Sequence, residues 1–231
     1  MKIRLIVFML FCLLAADFQA EAQNAKVTLT DADVRDPLLF NGKLYTFFPP
    51  FGTTGSQFMF TMPGTSSSIR IRGIEFNEIT LTYDLLNQLL VLIYTNALGG
   101  TERLVVSQAW LESFQIGSQN FVLIPVEGNT KRIYQQLGSG NTKLLYYFSK
   151  EILLDKTVSS GKYYFSNTNR KMFVQLKGLI LSYNSNRSFI KLFGRTNHDL
   201  LKNFIRKNKI NVKKADDNTM TLLIDFCNTL N

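Results

Sequence analysis

The stretch FNEITLTYDLLNQLLVLIY, residues 76–94, decides the fold class of this chain. In its first half the apolar residues Ile79, Leu81 and Tyr83 alternate with polar ones, which is typical of a strand with one buried face. Residues 84–88 begin with an aspartate, which favours a tight reversal. The β-branched residues on both sides of this reversal argue against a helix in its place. The stretch therefore predicts two antiparallel strands joined by a short turn.

Similar apolar segments, separated by Gly, Asn and Ser, recur along most of the chain. Besides the opening pair, the predicted strands are 38–40, 43–45, 56–62, 68–72, 103–106, 109–116, 121–126, 132–137, 143–148, 162–165, 171–177, 179–183 and 188–192. Asn41-Gly42 predicts a hairpin turn between the first two of these, because both residues accept positive φ. Because no helical pattern separates the strands, the sequence argues against a parallel βαβ fold. We predict a mainly β fold, an antiparallel meander curled into a sandwich or partial barrel.

The last part of the chain changes to a helical period. Thr196 with Asp199 resembles a capping box, and Asp216 is a candidate N-cap. Two apolar stripes follow at helical spacing: Leu200, Leu201, Phe204 and Ile205, then Met220, Leu223, Ile224 and Cys227. The fold class is thus completed by two short C-terminal helices. We expect an antiparallel β domain over 23–193 and, packed on it, a helical pair over 194–231.

Residues 1–22 have the composition of a secretory signal peptide. Two basic residues precede an uncharged run over 5–16, and Ala20-Glu21-Ala22 provides small residues for cleavage. The uncharged run is too short for a transmembrane helix, which needs about 20 apolar residues. We therefore expect export to the periplasm or the periplasmic side of a cell envelope, with no transmembrane span after cleavage. Cys227 would then be the single cysteine left, and its apolar neighbours predict a buried thiol.

The composition leaves little material for metal or nucleophilic chemistry. The chain has one histidine and two cysteines, so we expect no metal site, no cofactor and no catalytic triad. The histidine, His198, lies in the first turn of a predicted helix. A pair of carboxylates is the remaining catalytic arrangement, and the sequence does not show which acids meet in space. The acids considered are Glu75, Glu78, Asp84, Glu102 and Glu112.

Positive charge is concentrated near the C-terminus. The chain has a net charge of +9, and the nine basic residues between positions 187 and 214 face a single acid, Asp199. They are Arg187, Lys191, Arg195, Lys202, Arg206, Lys207, Lys209, Lys213 and Lys214. Such a cluster attracts polyanions. Nucleic acid is not expected as a partner because the chain is predicted to be exported. A solvated helix face with no partner is the alternative.

Several aromatic, glycine and lysine motifs occur in a characteristic order. They are Gly55-Ser56-Gln57-Phe58, Gly73 with Phe76, Leu81 to Asp84, Leu144 to Tyr147, Tyr163 to Phe165 and Arg187 to Phe193, followed by the lysine-rich helix. With these motifs the chain resembles, over nearly its whole length after residue 22, a group of small exported proteins of the Bacteroidota. The resemblance implies a periplasmic or cell-envelope location. It implies no activity and no catalytic residues.

The leading interpretation is an exported, non-enzymatic binding or accessory protein of the cell envelope. It would contact an envelope protein or an anionic envelope component through the basic residues between 187 and 214. One alternative is a carboxylate-dependent glycan or peptidoglycan hydrolase. A second alternative is a carrier of a small apolar ligand, which requires that the curled sheet enclose a cavity lined by Phe and Tyr.

Overall fold

The computed structural model describes residues 26–28, 36–96, 98–126, 130–156 and 161–230, so the predicted signal peptide lies outside the described residues. The strands are β1 (Lys26–Thr28), β2 (Gly42–Leu44), β3 (Gly64–Ile71), β4 (Ile74–Asp84), β5 (Leu89–Thr95), β6 (Thr101–Val106), β7 (Leu111–Ile116), β8 (Gln119–Pro125), β9 (Lys131–Leu137), β10 (Lys143–Ser149), β11 (Ile152–Asp155), β12 (Lys162–Phe165), β13 (Asn169–Leu176) and β14 (Leu179–Tyr183). The helices are α1 (Asn186–Lys191), α2 (His198–Lys207) and α3 (Asp217–Thr229).

Two antiparallel meanders make up most of one large sheet. Strands β3 to β6 pair in chain order, strands β7 to β10 do the same, and β3 pairs with β7 to join the two sets. Strands β13 and β14 extend the sheet beyond β10, while β2 pairs with β6 at the other edge. Strands β11 and β12 form a separate hairpin between β10 and β13. The predicted mainly β, antiparallel meander is confirmed.

Strand β4 changes partner at a bulge. Its first residues pair with β1 in parallel, and its last five pair with β5. Between these two parts the register with β3 shifts, and Glu78 adopts a φ of 57°. A bulge of this kind bends a strand and increases its twist. The two halves of β4 can therefore serve different neighbours.

The hairpin predicted around Asn41-Gly42 is wrong. Residues 37–40 form a turn that buries Leu39, and Gly42 begins β2, which pairs with β6. A Cβ on Gly42 would lie 2.1 Å from the carbonyl oxygen of Val105, so this glycine is required by close approach of two strands. The predicted strand at 56–62 is also absent, because its backbone follows an irregular path.

The chain after β14 forms three helices where two were predicted. The predicted strand at 188–192 is wrong, because these residues belong mainly to α1. Ser185 and Ser188 form a reciprocal capping box at the start of α1, which satisfies amides that a helix end leaves free. At the start of α2 the N-cap is Asn197, without a side-chain cap, so the predicted role of Thr196 is wrong. Asp216 caps α3 as predicted.

The core is one contiguous cluster that runs from the sheet to the helices. Helix α3 contacts β9 and β10, and its buried residues are the predicted stripe of Met220, Leu223, Ile224 and Cys227. The side chain of Asn228 fastens the end of α3 to the sheet, since it bonds both the amide and the carbonyl of Thr142. The C-terminal helices are thereby held on the strands that precede them.

Candidate functional site

The nine basic residues identified from the sequence are all exposed on the C-terminal helices and their connections. We call this set the basic surface: Arg187, Lys191, Arg195, Lys202, Arg206, Lys207, Lys209, Lys213 and Lys214. Among the described residues the ion pairs are Arg70–Glu75 and His198–Asp199. None of the nine therefore pairs with a described carboxylate, and their charges face solvent.

Helix α2 buries an apolar side and leaves its cations in solvent. Leu201 and Ile205 are buried as predicted, whereas the prediction is wrong for Leu200, which is 53% exposed. Phe204 stacks on Phe226 of α3, with ring centroids 4.0 Å apart and planes 6° from parallel. Such an aromatic pair contributes about 0.5–1.5 kcal/mol beyond its buried area. Packing therefore fixes the orientation of the basic residues on α2.

The connection between α2 and α3 is bound to α1 by one side chain. The Asn186 amide nitrogen donates to the carbonyl of Ile210 at 2.7 Å, and the Asn186 amide oxygen accepts from the amide of Val212 at 2.9 Å. Ile210 and Val212 are themselves buried. The segment that carries Lys209 and the basic residues after it is thus ordered and lies against α1, next to Arg187.

Lys209 occupies a backbone position that usually favours glycine. Its φ is 52°, in the left-handed region. The amide of Ile210 donates back to the carbonyl of Ile205, which is the longer bond of a Schellman motif that ends α2. A lysine here keeps one cation of the basic surface at a position where a side chain is strained.

Arg170 is a further cation that sequence reasoning missed. This residue of β13 donates from its guanidinium to the carbonyl of Lys213 at 2.8 Å. Its guanidinium carbon also lies 4.7 Å from the centroid of the Tyr146 ring, within the range of a cation–π contact. The two contacts join the basic surface to the sheet. Arg170 is 43 residues from Lys213 in the chain, and no local pattern connects the two.

The acids considered for a hydrolase are engaged in separate interactions. Glu75 accepts a hydrogen bond from Arg70, and Glu112 accepts one from the amide of Gly73. Glu102 accepts hydrogen bonds from the side chains of Tyr94 and Asn96. Asp84 accepts hydrogen bonds from the side chains of Tyr45 and Asn87 and from two backbone amides. No described hydrogen bond or ion pair joins two of these acids or involves Glu78 with another acid. The hydrogen bonds from Tyr94 and then Asn96 lower the pKa of Glu102.

Asp84 is the most enclosed of these acids, with 0% of its surface exposed. One carboxylate oxygen accepts from the Tyr45 hydroxyl at 2.6 Å and from the Asn87 side chain at 2.8 Å. The other accepts from the amides of Leu86 and Asn87. Burial, followed by the hydrogen bond to Asp84, raises the pKa of Tyr45. The side chain of Gln57 donates to the Tyr45 hydroxyl. We call these four residues the Asp84 network: Asp84, Tyr45, Asn87 and Gln57.

Two adjoining clefts lie on the polar face of the sheet, and the larger one reaches α3. Their volumes are about 440 Å³ and about 270 Å³, and both are lined by Asn120 and Gln136. Asp217 and Asp225 line the larger cleft and lie eight residues apart on α3. Eight residues of helix place the two backbone positions about 12 Å apart, and the Asp217 carboxylate accepts a hydrogen bond from the side chain of Gln135 at 2.6 Å. The clefts are polar, and they contain no cation of the basic surface.

His198 and Cys227 have local roles. The His198 ring nitrogen lies 3.0 Å from a carboxylate oxygen of Asp199 in the exposed first turn of α2. Cys227 is buried, and burial raises the pKa of its thiol to about 12. A thiol of this kind is unreactive near neutral pH.

The described residues contain no group of three or more side chains that could hold a metal ion. Across the same part of the chain, every helix is too short or too polar to cross a bilayer. No protein-family model, curated protein or solved structure matches this chain.

Proposed function

We propose that the protein is an exported, non-enzymatic binding or accessory protein of the cell envelope. In this proposal the basic surface contacts an anionic component of the envelope. One observation carries the proposal: nine exposed cations occupy an ordered helical scaffold, and none is neutralised by a described carboxylate. Lysine and arginine heads that remain unpaired are free to bind phosphate or carboxylate groups of a partner.

The order of the scaffold also supports the proposal. Asn186 fixes the connection before α3, Arg170 binds the carbonyl of Lys213, and packing fixes α2. A surface whose cations are already in place loses less conformational entropy when it binds a partner. A strained lysine at position 209 adds to this argument, because backbone strain is often retained where a side chain has a function.

The two alternatives have weaker support. A hydrolase needs two acids that face each other across a substrate, whereas four of the five acids considered bind separate partners in the described structure. A carrier of an apolar ligand needs an enclosed apolar cavity, whereas the two clefts on the sheet face are open and mainly polar.

We also propose that the sheet is curled, as the sequence analysis expects. The amide of Lys150 after β10 donates to the carbonyl of Leu85 after β4, and the Gln88 side chain donates to the carbonyl of Phe148. Strands β4 and β10 are five places apart in the sheet, which would be about 24 Å in a flat sheet. These hydrogen bonds bring the end of β10 close to the end of β4, and they therefore support a curled sheet.

A charge-reversal variant with a matched control tests the binding proposal. The test variant combines Lys207→Glu, Lys209→Glu, Lys213→Glu and Lys214→Glu. The control combines Arg72→Glu, Arg132→Glu, Lys143→Glu and Lys177→Glu, four positions outside the basic surface and outside the β11–β12 hairpin. Each set changes the net charge by −8, from +9 to +1. The measurement is co-sedimentation of the exported protein with cell envelopes of the native host at low and high salt.

The expected result is a loss of envelope binding of at least about tenfold for the test variant, since each cation near an anionic surface contributes about 1 kcal/mol. The control should retain most of the binding. Equal losses in the two variants would show that only net charge matters. Unchanged binding in the test variant would exclude the basic surface as the contact.

A further inference from the structure

A second exposed surface, rich in aromatic and aliphatic side chains, lies away from the clefts. Phe48 is 84% exposed and Phe51 is fully exposed, on a loop that contains Pro49-Pro50. Four large residues of the β11–β12 hairpin are between 36% and 44% exposed. We call these six residues the apolar tip: Phe48, Phe51, Leu153, Leu154, Tyr163 and Tyr164.

Backbone hydrogen bonds join the loop to the hairpin. Thr54 lies beside Tyr164 as a parallel bridge, and its amide donates to the carbonyl of Tyr163 at 3.0 Å. The amide of Phe165 donates to the carbonyl of Thr54 at 3.0 Å. Since Phe51 is three residues from Thr54, it lies within about 10 Å of the hairpin. Leu153 and Tyr164 lie opposite each other on one face of the hairpin, and Leu154 and Tyr163 on the other face, so apolar side chains cover both faces of the hairpin next to this loop.

Buried and half-buried polar contacts hold this loop at both of its ends. At the first end, the Tyr45 hydroxyl donates to Asp84. At the second end, the Lys150 ammonium donates to the carbonyls of Ser56 at 2.7 Å and Phe58 at 3.0 Å. Partial burial lowers the pKa of Lys150, and the two carbonyls accept its hydrogen bonds. The loop is thus presented by a fixed base, although its aromatic side chains contact mainly solvent.

The surroundings of the apolar tip carry positive charge. The β11–β12 hairpin and the two residues before it carry Lys150, Lys156 and Lys162 against Glu151 and Asp155, Lys43 lies in β2, and residues 46–55 of the loop carry no charge. The hairpin leaves the sheet between Ser149 and Asn169, which face each other in β10 and β13. The next residue is Arg170, whose guanidinium binds the carbonyl of Lys213.

Helix α1, which carries Arg187, begins at this same end of the sheet. Strand β14 ends at Tyr183, opposite Met172 near the start of β13, and α1 follows directly. The apolar tip and part of the basic surface therefore project from one end of the molecule. Exposed aromatic side chains beside cations are the combination found on proteins that bind the interface of an anionic bilayer.

We propose that this end of the molecule binds the surface of a lipid bilayer that contains anionic lipids. Phe48 and Phe51 enter the interfacial region, and the cations near Lys213 lie over lipid phosphates. This inference rests on the proposed function, because it identifies the anionic component with a membrane. It goes further by assigning a binding role to six residues that carry no charge.

Vesicle flotation of the exported protein tests the inference with three variants. The tip variant is Phe48→Ser with Phe51→Ser. Its matched control is Leu98→Ser with Leu179→Ser, two residues that are 95% and 63% exposed, in the turn after β5 and at the first position of β14. The third is the charge-reversal variant described above. All share one N-terminus, confirmed by sequencing, and vesicles of phosphatidylethanolamine with phosphatidylglycerol are compared with vesicles of phosphatidylcholine.

The parent protein and the Leu98/Leu179 control should float with the anionic vesicles. The tip variant should bind them at least about tenfold more weakly, since moving one phenyl ring out of water is worth about that factor. A Phe51→Trp variant should show a blue-shifted emission only when vesicles are present. A Leu98→Trp variant should show no shift.

The remaining outcomes separate the two proposals. If the tip variant binds vesicles as the parent does while the charge-reversal variant fails, the role of the apolar tip is overturned and the proposed function stands. If the parent binds native envelopes through its basic surface but floats with neither vesicle type, the bilayer is overturned as the partner. If the parent dimerises without lipid and the tip variant stays monomeric, a second copy covers the tip and the inference is wrong.

Discussion

Charged and polar groups have opposite surroundings in the Asp84 network and in the basic surface. Asp84 is buried, and four donors saturate its two oxygens. The nine cations of the basic surface are exposed and unpaired among the described residues. A buried and saturated charge organises the chain around it, because any unpaired group there would be costly. An exposed and unpaired charge contributes little to stability and remains available to a partner.

The difference predicts which substitutions affect folding and which affect binding. Changes in the Asp84 network should lower the free energy of unfolding strongly. Changes of side-chain charge in the basic surface should leave it nearly unaltered. A substitution in the scaffold beneath the basic surface should affect both properties.

The largest effect is expected for Asp84→Ala. Removal of the carboxylate leaves the Tyr45 hydroxyl and the Asn87 groups without their acceptor in a buried place. At about 1 kcal/mol or more for each lost partner, the free energy of unfolding should fall by about 3 kcal/mol. Urea unfolding measures the change, and Asp225→Ala, at an exposed position on α3, is the control.

Asp84→Asn refines this first prediction. An amide keeps the size of the side chain and one acceptor oxygen, but its nitrogen must then face a donor. The loss of stability should therefore lie between those of the parent and Asp84→Ala. If both variants unfold at the urea concentration of the parent, the Asp84 network does not organise this end of the molecule.

Asn186→Ala should lower stability by a smaller amount and also weaken binding. It removes the two hydrogen bonds to Ile210 and Val212, which together contribute about 2 kcal/mol. The same change frees the segment that carries Lys209 and Lys213, so envelope binding should fall although no charge is altered. Asn218→Ala, at an exposed position of α3, is the control for both measurements. Loss of stability with full binding would show that the scaffold is unimportant for the partner.

The free energy of unfolding should fall at alkaline pH because buried tyrosine hydroxyls stay protonated in the folded chain. Burial raises the pKa of Tyr146 from 10.0 to about 12. Above pH 10 the unfolded chain releases this proton while the folded chain keeps it, so stability is complete below pH 10 and falls as pH rises. The decline is about 1.4 kcal/mol per pH unit for one such group up to about pH 12. The slope for Tyr146→Phe should be smaller by this amount, and parallel slopes would contradict the prediction.

Local patterns were sufficient where the chain makes its structure from neighbouring residues. The alternation in residues 76–94 predicted β4, β5 and the Asp84 turn, and the apolar stripe from Met220 to Cys227 predicted the buried side of α3. The tract at 188–192 failed because its apolar run suits a strand or a helix equally. The capping box of Ser185 and Ser188 decided the outcome.

The contacts that define the functional surfaces were beyond local patterns. Asn41-Gly42 has the composition of a turn, yet Gly42 pairs with a strand more than 60 residues later. The bond between Arg170 and Lys213 and the joining of Thr54 to the hairpin likewise depend on the path of the chain through space. The sequence identified the cations of the basic surface, whereas it gave no indication of the apolar tip beside them.

The smallest effect is expected for Lys209→Gly, and here stability and binding should move in opposite directions. Glycine adopts a φ of 52° without the strain that a lysine side chain causes, so the free energy of unfolding should rise by about 1 kcal/mol. Envelope binding should fall because one of nine cations is lost. Lys209→Asn, which accepts this backbone and also lacks the charge, should behave similarly, whereas Lys209→Arg should keep both properties of the parent. If Lys209→Gly gained stability and retained full binding, the lysine would have no role at the basic surface that offsets its strain.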